Sequence, residues 1–508
     1  MRAIAILGPA LLLAACVGEP EAPAAVLRAD VVGTFDDPAS PPRVALTQST
    51  QLGLVQFDGA GQVVPGLAAS WRVVDGGRSL IFRLRPATWS DGRALKAGDV
   101  VAVFRRIMAP GSRNPLKPLL TGIDNAASVV GGRAPMSMLG VSAPLDNVVE
   151  IRLSSPDAGL LQLLALPQAA IVRSGSRPPS IGAFTVTDGA ARPLQLRRNP
   201  RYFDAADVNL GGLALTAAPD PAAAIARFGR GETDLVTGDG IAGLGEARVL
   251  APRGTLRIEP TWGLYGYQVN LKAGPMSDAR VRRALAMAVD RDALVRGLFA
   301  LPQLVPLVSL VPPDAGAGEP AVPDWAALDA AARRALAAQL IAAAGYGPDN
   351  PLRLRVSLPP GRDHAQIFDA VLRDWQMLGI VATAVERAPA AQRAAVARGD
   401  YDLAVVERSA PAPKPLFFLR PFTCAGSGGS YCNKGADALI DGARVMADEG
   451  ARGEALAHAE AAMLADTPMI PLFVPVRWAL VGKGVTGWTD NQGGQHPLGA
   501  LSIEETRK

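Results

Sequence analysis

Cysteine and histidine are scarce in this chain, three of each in 508 residues. With so few ligands, and with His364, His458 and His496 far in sequence from Cys424 and Cys432, a structural metal centre is not expected. Aromatic residues make up only 5% of the chain and the formal net charge is only +4, the arginines being scattered. The electrostatic footprint of a nucleic-acid binder is therefore missing. No segment after the N-terminus reaches the ~18 uninterrupted apolar residues of a membrane-spanning helix. G-x-S-x-G, H-E-x-x-H and a serine followed at +3 by lysine are missing too, which removes the commonest nucleophile and zinc signatures. A hydrolase stays as the enzymatic alternative only because one of the three histidines could serve as a general base; no paired partner is visible for it.

What is present describes an exported globular chain. At about 150 residues per domain the length implies two or three lobes, and 49% hydrophobic with 19% charged residues is a folding composition. Residues 1–15 carry one basic residue, Arg2, ahead of the short apolar run 3–13, the shape of an export signal. Leu13-Ala14-Ala15-Cys16 resembles a bacterial lipobox, which would leave Cys16 as the lipid-bearing residue of the mature chain; the alternative is an ordinary secretory signal with a chance cysteine. Residues 16–25, with Pro20 and Pro23, read as a tether. Only Cys424 and Cys432 then remain, in a Gly/Ser-rich loop, and an even count in an exported protein favours a disulfide over metal.

The most informative stretch is 65–107. Pro65-Gly66 opens it, a strand over 71–74 turns at Asp75-Gly76-Gly77, and the returning strand 79–85 puts Leu80, Phe82 and Leu84 on one face. After a second turn at Asp91-Gly92, Asp99 starts a helix whose Val100, Val103, Phe104 and Ile107 share a face. Periodicity alone gives a hairpin delivering a helix. The succession PGLA-x-SW, DG, F-x-LR, W-S-DG and A-x-DV, however, resembles the opening segment of the peptide/nickel-type solute-binding proteins of ABC importers, the oligopeptide- and dipeptide-binding family 5. The resemblance continues in Arg198-Asn199-Pro200-Arg201-Tyr202, in Gly231-Glu232-Thr233-Asp234, across 278–291 (DARVRRALAMAVDR) and in Pro468-Met469-Ile470-Pro471-Leu472, and so covers nearly the whole mature chain.

That resemblance implies an α/β fold of the periplasmic-binding-protein type II kind, with two large lobes around a cleft and an extra N-terminal subdomain. The implied division is 26–43 for the start of lobe I, 44–177 for the subdomain, 178–255 for the second part of lobe I, 256–477 for lobe II, and 478–508 for the return to lobe I. It also implies a lipid-anchored periplasmic protein, monomeric and without cofactor or catalytic residues. Such a protein captures a peptide-like or other small solute by hinge closure and delivers it to a permease with its ATPase subunits. A non-transport scaffold or sensory lipoprotein reusing the fold is the alternative. Alternating strands and helices over 352–406 independently argue an α/β lobe with parallel pairing. Ser277 and Asp290 read as helix caps, and the charges of 278–291 as caps and a solvated face.

Two motifs need weighing. Gly238-Asp239-Gly240-Ile241-Ala242-Gly243 satisfies G-x-G-x-x-G with Glu259 downstream, but the helix after it is short and soon broken by Pro252 and Gly254, so a dinucleotide site is not expected. The second motif is a departure from the family. Where peptide binders carry a tryptophan, an acid that holds the ligand's ammonium, and an Asp, this chain has Arg408, Pro411 and Lys414. Glu407 alternates to the other face of the strand. The expected ligand is therefore not an ordinary peptide with a free N-terminus: Arg408, with Lys414, meets an acidic or polar group, and Trp262, Tyr265 and Phe417 supply apolar walls. Phe35, just after the first strand, is a further cleft candidate. The plain reading of all six is internal pairing and core packing.

Overall fold

The computed structural model describes residues 25–36, 40–157, 159–175, 178–238, 240–272, 274–298, 300–316, 318–410, 412–427, 430–444, 446 and 448–504. The leader, Cys16 with most of its tether, and Pro411 lie outside the described residues.

Three sheets organise the chain. In the first, of seven strands, Val26–Val32 lies at the centre and pairs in parallel with Gly212–Ala218 and Leu235–Thr237. Its alternation places Leu27, Ala29 and Val31 in the core. Because these three strands run the same way, their C-terminal ends, at Gly33, Pro219 and Gly238, open on one edge, the usual place for a ligand crevice in such sheets. The second sheet has six strands, in the order Val305–Pro306, Met469–Val474, Trp262–Val269, Leu403–Ala410, Arg353–Leu358 and Val381–Glu386. Arg353–Leu358 pairs in parallel with both Val381–Glu386 and Leu403–Ala410, with the helices Arg362–Gln376 and Pro389–Arg398 as the crossovers. The strand–helix alternation over 352–406 thus builds an α/β lobe, as its pattern predicts.

The third sheet is an antiparallel four-stranded one, Ala68–Val74, Ser79–Leu84, Val148–Arg152 and Val141–Leu145. Trp71 faces Phe82 across its hairpin, and Leu80, Phe82 and Leu84 are buried while Ile81 is 37% exposed. The helix Ala97–Met108 lays Val100, Val103, Phe104 and Ile107 into the same core. Together these elements enclose a separate apolar cluster, which Ile181 joins and on which Tyr202 and Phe203 pack.

The chain crosses between the first two sheets at Thr261 and again at Pro475. Leu256–Pro260 pairs with Val476–Val481 from Leu256↔Leu480 to Pro260↔Val476, and both strands belong to the first sheet. Sheet membership therefore changes at 261 and 475, and not at 255/256 and 477/478.

The 278–291 segment needs a correction. Its apolar stripe, Val281, Ala284, Leu285 and Ala288, is buried in the helix Ala279–Ala288. The N-cap, however, is Asp278, which accepts from Arg280 N at 2.8 Å, while Ser277 donates to Gly274 O. Asp290 does cap the next turn, accepting from Ala293 N at 3.0 Å. Arg282 and Arg291 are not on a solvated face. Arg282 donates to Asp466, Met276 and Ser277 carbonyls, and Arg291 to those of Leu307, Pro471, Ala286 and Val289. Burial pushes the Arg291 pKa down to about 9. These cations gather carbonyls that chain ends would otherwise leave unpaired.

Glu460, 1% exposed, does the converse for donors, accepting from Leu310 N, Val311 N and Ala321 N at 2.7, 2.8 and 2.9 Å. Truncating it leaves three N–H groups without an acceptor, and a buried unsatisfied donor is expensive. Glu460→Ala is expected to lower the unfolding free energy by about 3 kcal/mol, measured by denaturant titration, while a variant at the exposed neighbour Glu449 stays near the wild type.

Candidate functional site

Leu403–Ala410 and Trp262–Val269 pair antiparallel, with Trp262 opposite Ala410, Leu264 opposite Arg408, and Tyr265 opposite Glu407. Side chains alternate across a strand, so Arg408 shares a face with Leu264 and Ala410, and Glu407 shares the other with Tyr265. The Arg408 face looks onto the apolar cluster of Leu264, Phe418, Leu419 and Phe422, with Trp262 and Phe417 half-buried at its margin. The Arg408 guanidinium lies 5.9 Å from the centre of the Phe422 ring, and its Nη1 is buried with no hydrogen-bond partner among the described residues. Arg408 keeps a little accessible surface, yet protein crowds the guanidinium closely enough that burial alone depresses its pKa to about 10. Among the described residues no acid compensates this cation.

Beyond it the chain runs through Lys414 into the helix Pro415–Leu419 and borders a cavity of about 640 Å³. Lys414, Leu416 and Arg420 line one side; Ser155, Pro156 and Asp157, from the segment after the third sheet, line the other. That volume is in the range of small-ligand pockets. Three contacts cross it: Lys414 Nζ to Asp157 Oδ1 at 2.6 Å, Ser155 Oγ to Arg444 O at 2.8 Å, and Arg452 Nη1 to Pro156 O at 3.3 Å. The charge lining it is mixed. Arg444 pairs with Asp441 at 3.4 Å, and the Arg420 pKa is lowered by burial and then by Arg444. Cys424 and Cys432 are bonded just beyond, so the disulfide expectation is met. Tyr431 and Asn433 both donate to Asp466, fixing the end of that loop.

Of the six residues singled out in the sequence, the structure gathers Trp262, Arg408 and Phe417 around one apolar cluster and puts Lys414 on the adjoining cavity wall. Lys414 is already paired. Tyr265 is elsewhere: fully buried, stacked on Phe473 at 4.7 Å, its hydroxyl 2.9 Å from His364 Nδ1. It is a core residue because its register places it on the Glu407 face. Phe35 stands at the C-terminal end of the first central strand but packs on that lobe's own cluster, with Arg43 over its ring at 5.8 Å. Asp157, Arg420, Arg444 and Arg452 were not legible; Asp157 and Lys414 are 257 residues apart, and no local pattern joins them.

The glycine-rich loop is filled by the protein itself. A Cβ on Gly238 would lie 2.2 Å from the Trp478 ring and one on Gly240 2.1 Å from Glu407 Oε1. The helix that follows, Leu244–Leu250, has seven residues, and Glu259 is engaged by His496 at 3.0 Å. No space for a pyrophosphate is left along Gly238 and Gly240.

The family model "Bacterial extracellular solute-binding proteins, family 5 Middle" matches residues 62–430. The chain belongs to this family. Among its relatives are the probable deoxycholate-binding periplasmic protein YgiS of Escherichia coli, 30% identical over 83% of this chain and 82% of that protein, and the periplasmic oligopeptide-binding protein OppA of Salmonella typhimurium, 27% identical over 89% and 86%. The fold matches the Escherichia coli murein tripeptide-binding protein MppA with a TM-score of 0.83 at 23% identity, covering 94% of this chain and 98% of that one. The unliganded open form of MppA matches at 0.69, with 23% identity and coverage of 95% and 98%. These family 5 relatives are binding proteins with a two-lobe architecture, and the present chain has the same mixed α/β build.

His364 gives this family 5 protein a pH signature. Burial lowers its pKa from 6.5 to about 4, with Tyr265 holding the neutral ring. Below 6.5 the unfolded chain takes up a proton that the folded chain refuses until about pH 4. The contribution is thus complete above 6.5 and lost as pH falls toward 4. Between pH 7 and 5 the wild type should lose about 2 kcal/mol through this group, and His364→Gln should show a shallower fall in pH-dependent denaturation.

Proposed function

We propose that this family 5 protein is the lipid-anchored solute-binding component of an ABC importer in the bacterial cell envelope. It acts as a monomer that closes about its two crossings on a small solute and presents it to a permease driven by ATPase subunits. The contacts across the cavity support closure. Closure traps a solute only through differential affinity for the closed state.

The observation that carries the ligand reading is Arg408. A ligand ammonium brought beside a buried guanidinium without an acid would be repelled and desolvated at once, at a cost of several kcal/mol. An anionic or strongly polar group meets the unpartnered Nη1 instead, and Trp262 and Phe417 accommodate an apolar body. Lys414 serves this reading less directly, since Asp157 holds it. The names of the relatives span both chemistries: peptides, and deoxycholate, a carboxylate on an apolar skeleton.

Calorimetry with unmodified di- to pentapeptides, their N-acetylated counterparts and deoxycholate, on wild type and Arg408→Ala, tests this. Blocked or anionic probes are expected to bind better than free-ammonium peptides and to lose at least about tenfold in affinity on the substitution. Tight binding of unmodified peptides, undiminished in Arg408→Ala, would sink the ligand reading. The anchor is tested separately. Cys16→Ser is expected to release a soluble periplasmic protein, because acyl chains are the only anchor left once the short apolar run is removed; a processed variant still wholly membrane-bound refutes it.

A further inference from the structure

We propose that Asp363 and Glu407 form a latch that holds the two lobes closed by gripping the backbone of the glycine-rich loop. The proposal rests on the closing motion of the preceding reading. The loop belongs to lobe I, between the strand Leu235–Thr237 and the helix Leu244–Leu250. The two carboxylates belong to lobe II: Glu407 lies on the strand Leu403–Ala410, and Asp363 in the first turn of the helix Arg362–Gln376. Glu407 Oε1 accepts from Ile241 N at 3.0 Å. Asp363 Oδ2 accepts from Gly243 N at 2.8 Å and Oδ1 from Gly245 N at 3.3 Å. Three backbone donors of one lobe are thus met by two acids of the other.

Several features show that the arrangement is specific. Asp363 is only 5% exposed, so its carboxylate is committed to these amides and is not solvated. Its side-chain hydrogen bonds go to the loop, at Gly243 N and Gly245 N, although it stands in the first turn of its own helix. Gly240, at φ +70°, leaves the space that Glu407 enters. Trp478 Nε1 donates to Ala242 O at 3.0 Å, holding the loop so that its amides face lobe II. Charge-assisted bonds of this kind are short and strong, and rotation of one lobe away from the other breaks all three together. When the lobes part, two carboxylates return to water, which lowers the barrier to opening. The Lys414–Asp157 contact is a separate one, across the cavity.

Hydrogen exchange and small-angle scattering on the full processed chain test the latch with no ligand needed. The variants are Asp363→Asn, Glu407→Gln, their combination, and Gly240→Ala, which keeps both acids but blocks the approach; far-UV circular dichroism checks that each folds. In the wild type the amides of 241–245 are expected to be protected. In the double variant and in Gly240→Ala their exchange should rise by roughly tenfold or more, exchange at 154–157 and 413–416 should rise with it, and the radius of gyration should increase. Faster exchange confined to 241–245, with an unchanged radius, would reduce the contact to local packing and overturn the latch while leaving closure intact. A wild type that is already extended, with unprotected amides at both ends of the cleft, would overturn closure itself and the latch with it.

Discussion

Thr261 and Pro475 meet where the chain passes twice between its two large sheets, and the Thr261 hydroxyl donates to the Pro475 carbonyl at 2.7 Å in a buried setting. Everything that makes this molecule a binder depends on that double crossing. Two adjacent, paired strands form the bridge between the sheets and fix their register along it. The bond sits between residues that end one sheet and begin the other, and Gly263 leaves no room for a Cβ beside Thr261 Oγ1 and the Pro475 ring. The joint is therefore tightly packed. A joint of this kind resolves a conflict: a core must be dense, yet a capture site must open.

The same constraint explains why an uncompensated cation is tolerated. Arg408 lies at the end of a strand that leads out of the lobe II core, and its neighbours are an aromatic ring and aliphatic side chains. Glu460 is met by three amides and Arg291 by four carbonyls, although Arg291 Nη2 itself has no hydrogen-bond partner among the described residues. Arg408 differs from both in that none of its depressed basicity is offset by a neighbouring acid among the described residues, burial being its one cause. Lys414 shows the contrast, since its charge is cancelled by Asp157 from the opposite wall.

What could be read from the sequence was whatever a short window encodes. The alternation of Leu80, Phe82 and Leu84, the stripe of Val100, Val103, Phe104 and Ile107, and the strand–helix rhythm of 352–406 all reappear as built, because each follows from local geometry. Motif order carried the fold further than periodicity did. The losses share a cause in long-range geometry. Arg282 and Arg291 look like surface charges on an amphipathic helix, but distant carbonyls reach them and draw them inside. Tyr265 sits three residues from Trp262 in the same aromatic patch, yet strand alternation sends it to the core. Asp157 meets Lys414 only after two lobes have folded and approached.

The glycine-rich loop shows why a motif specifies a geometry and not a ligand. Glycines at 238, 240 and 243 free backbone amides to point outward, and whatever negative group fits will be bound. In nucleotide-binding proteins that group is a phosphate brought from outside. Here the acids are part of the chain, Asp363 and Glu407, and they arrive from the lobe across the crossing. The same N–H donors that would make the loop promiscuous toward anions are thereby withheld from solvent anions whenever the lobes are together. A loop whose geometry suits an anion is thus occupied by the protein's own carboxylates.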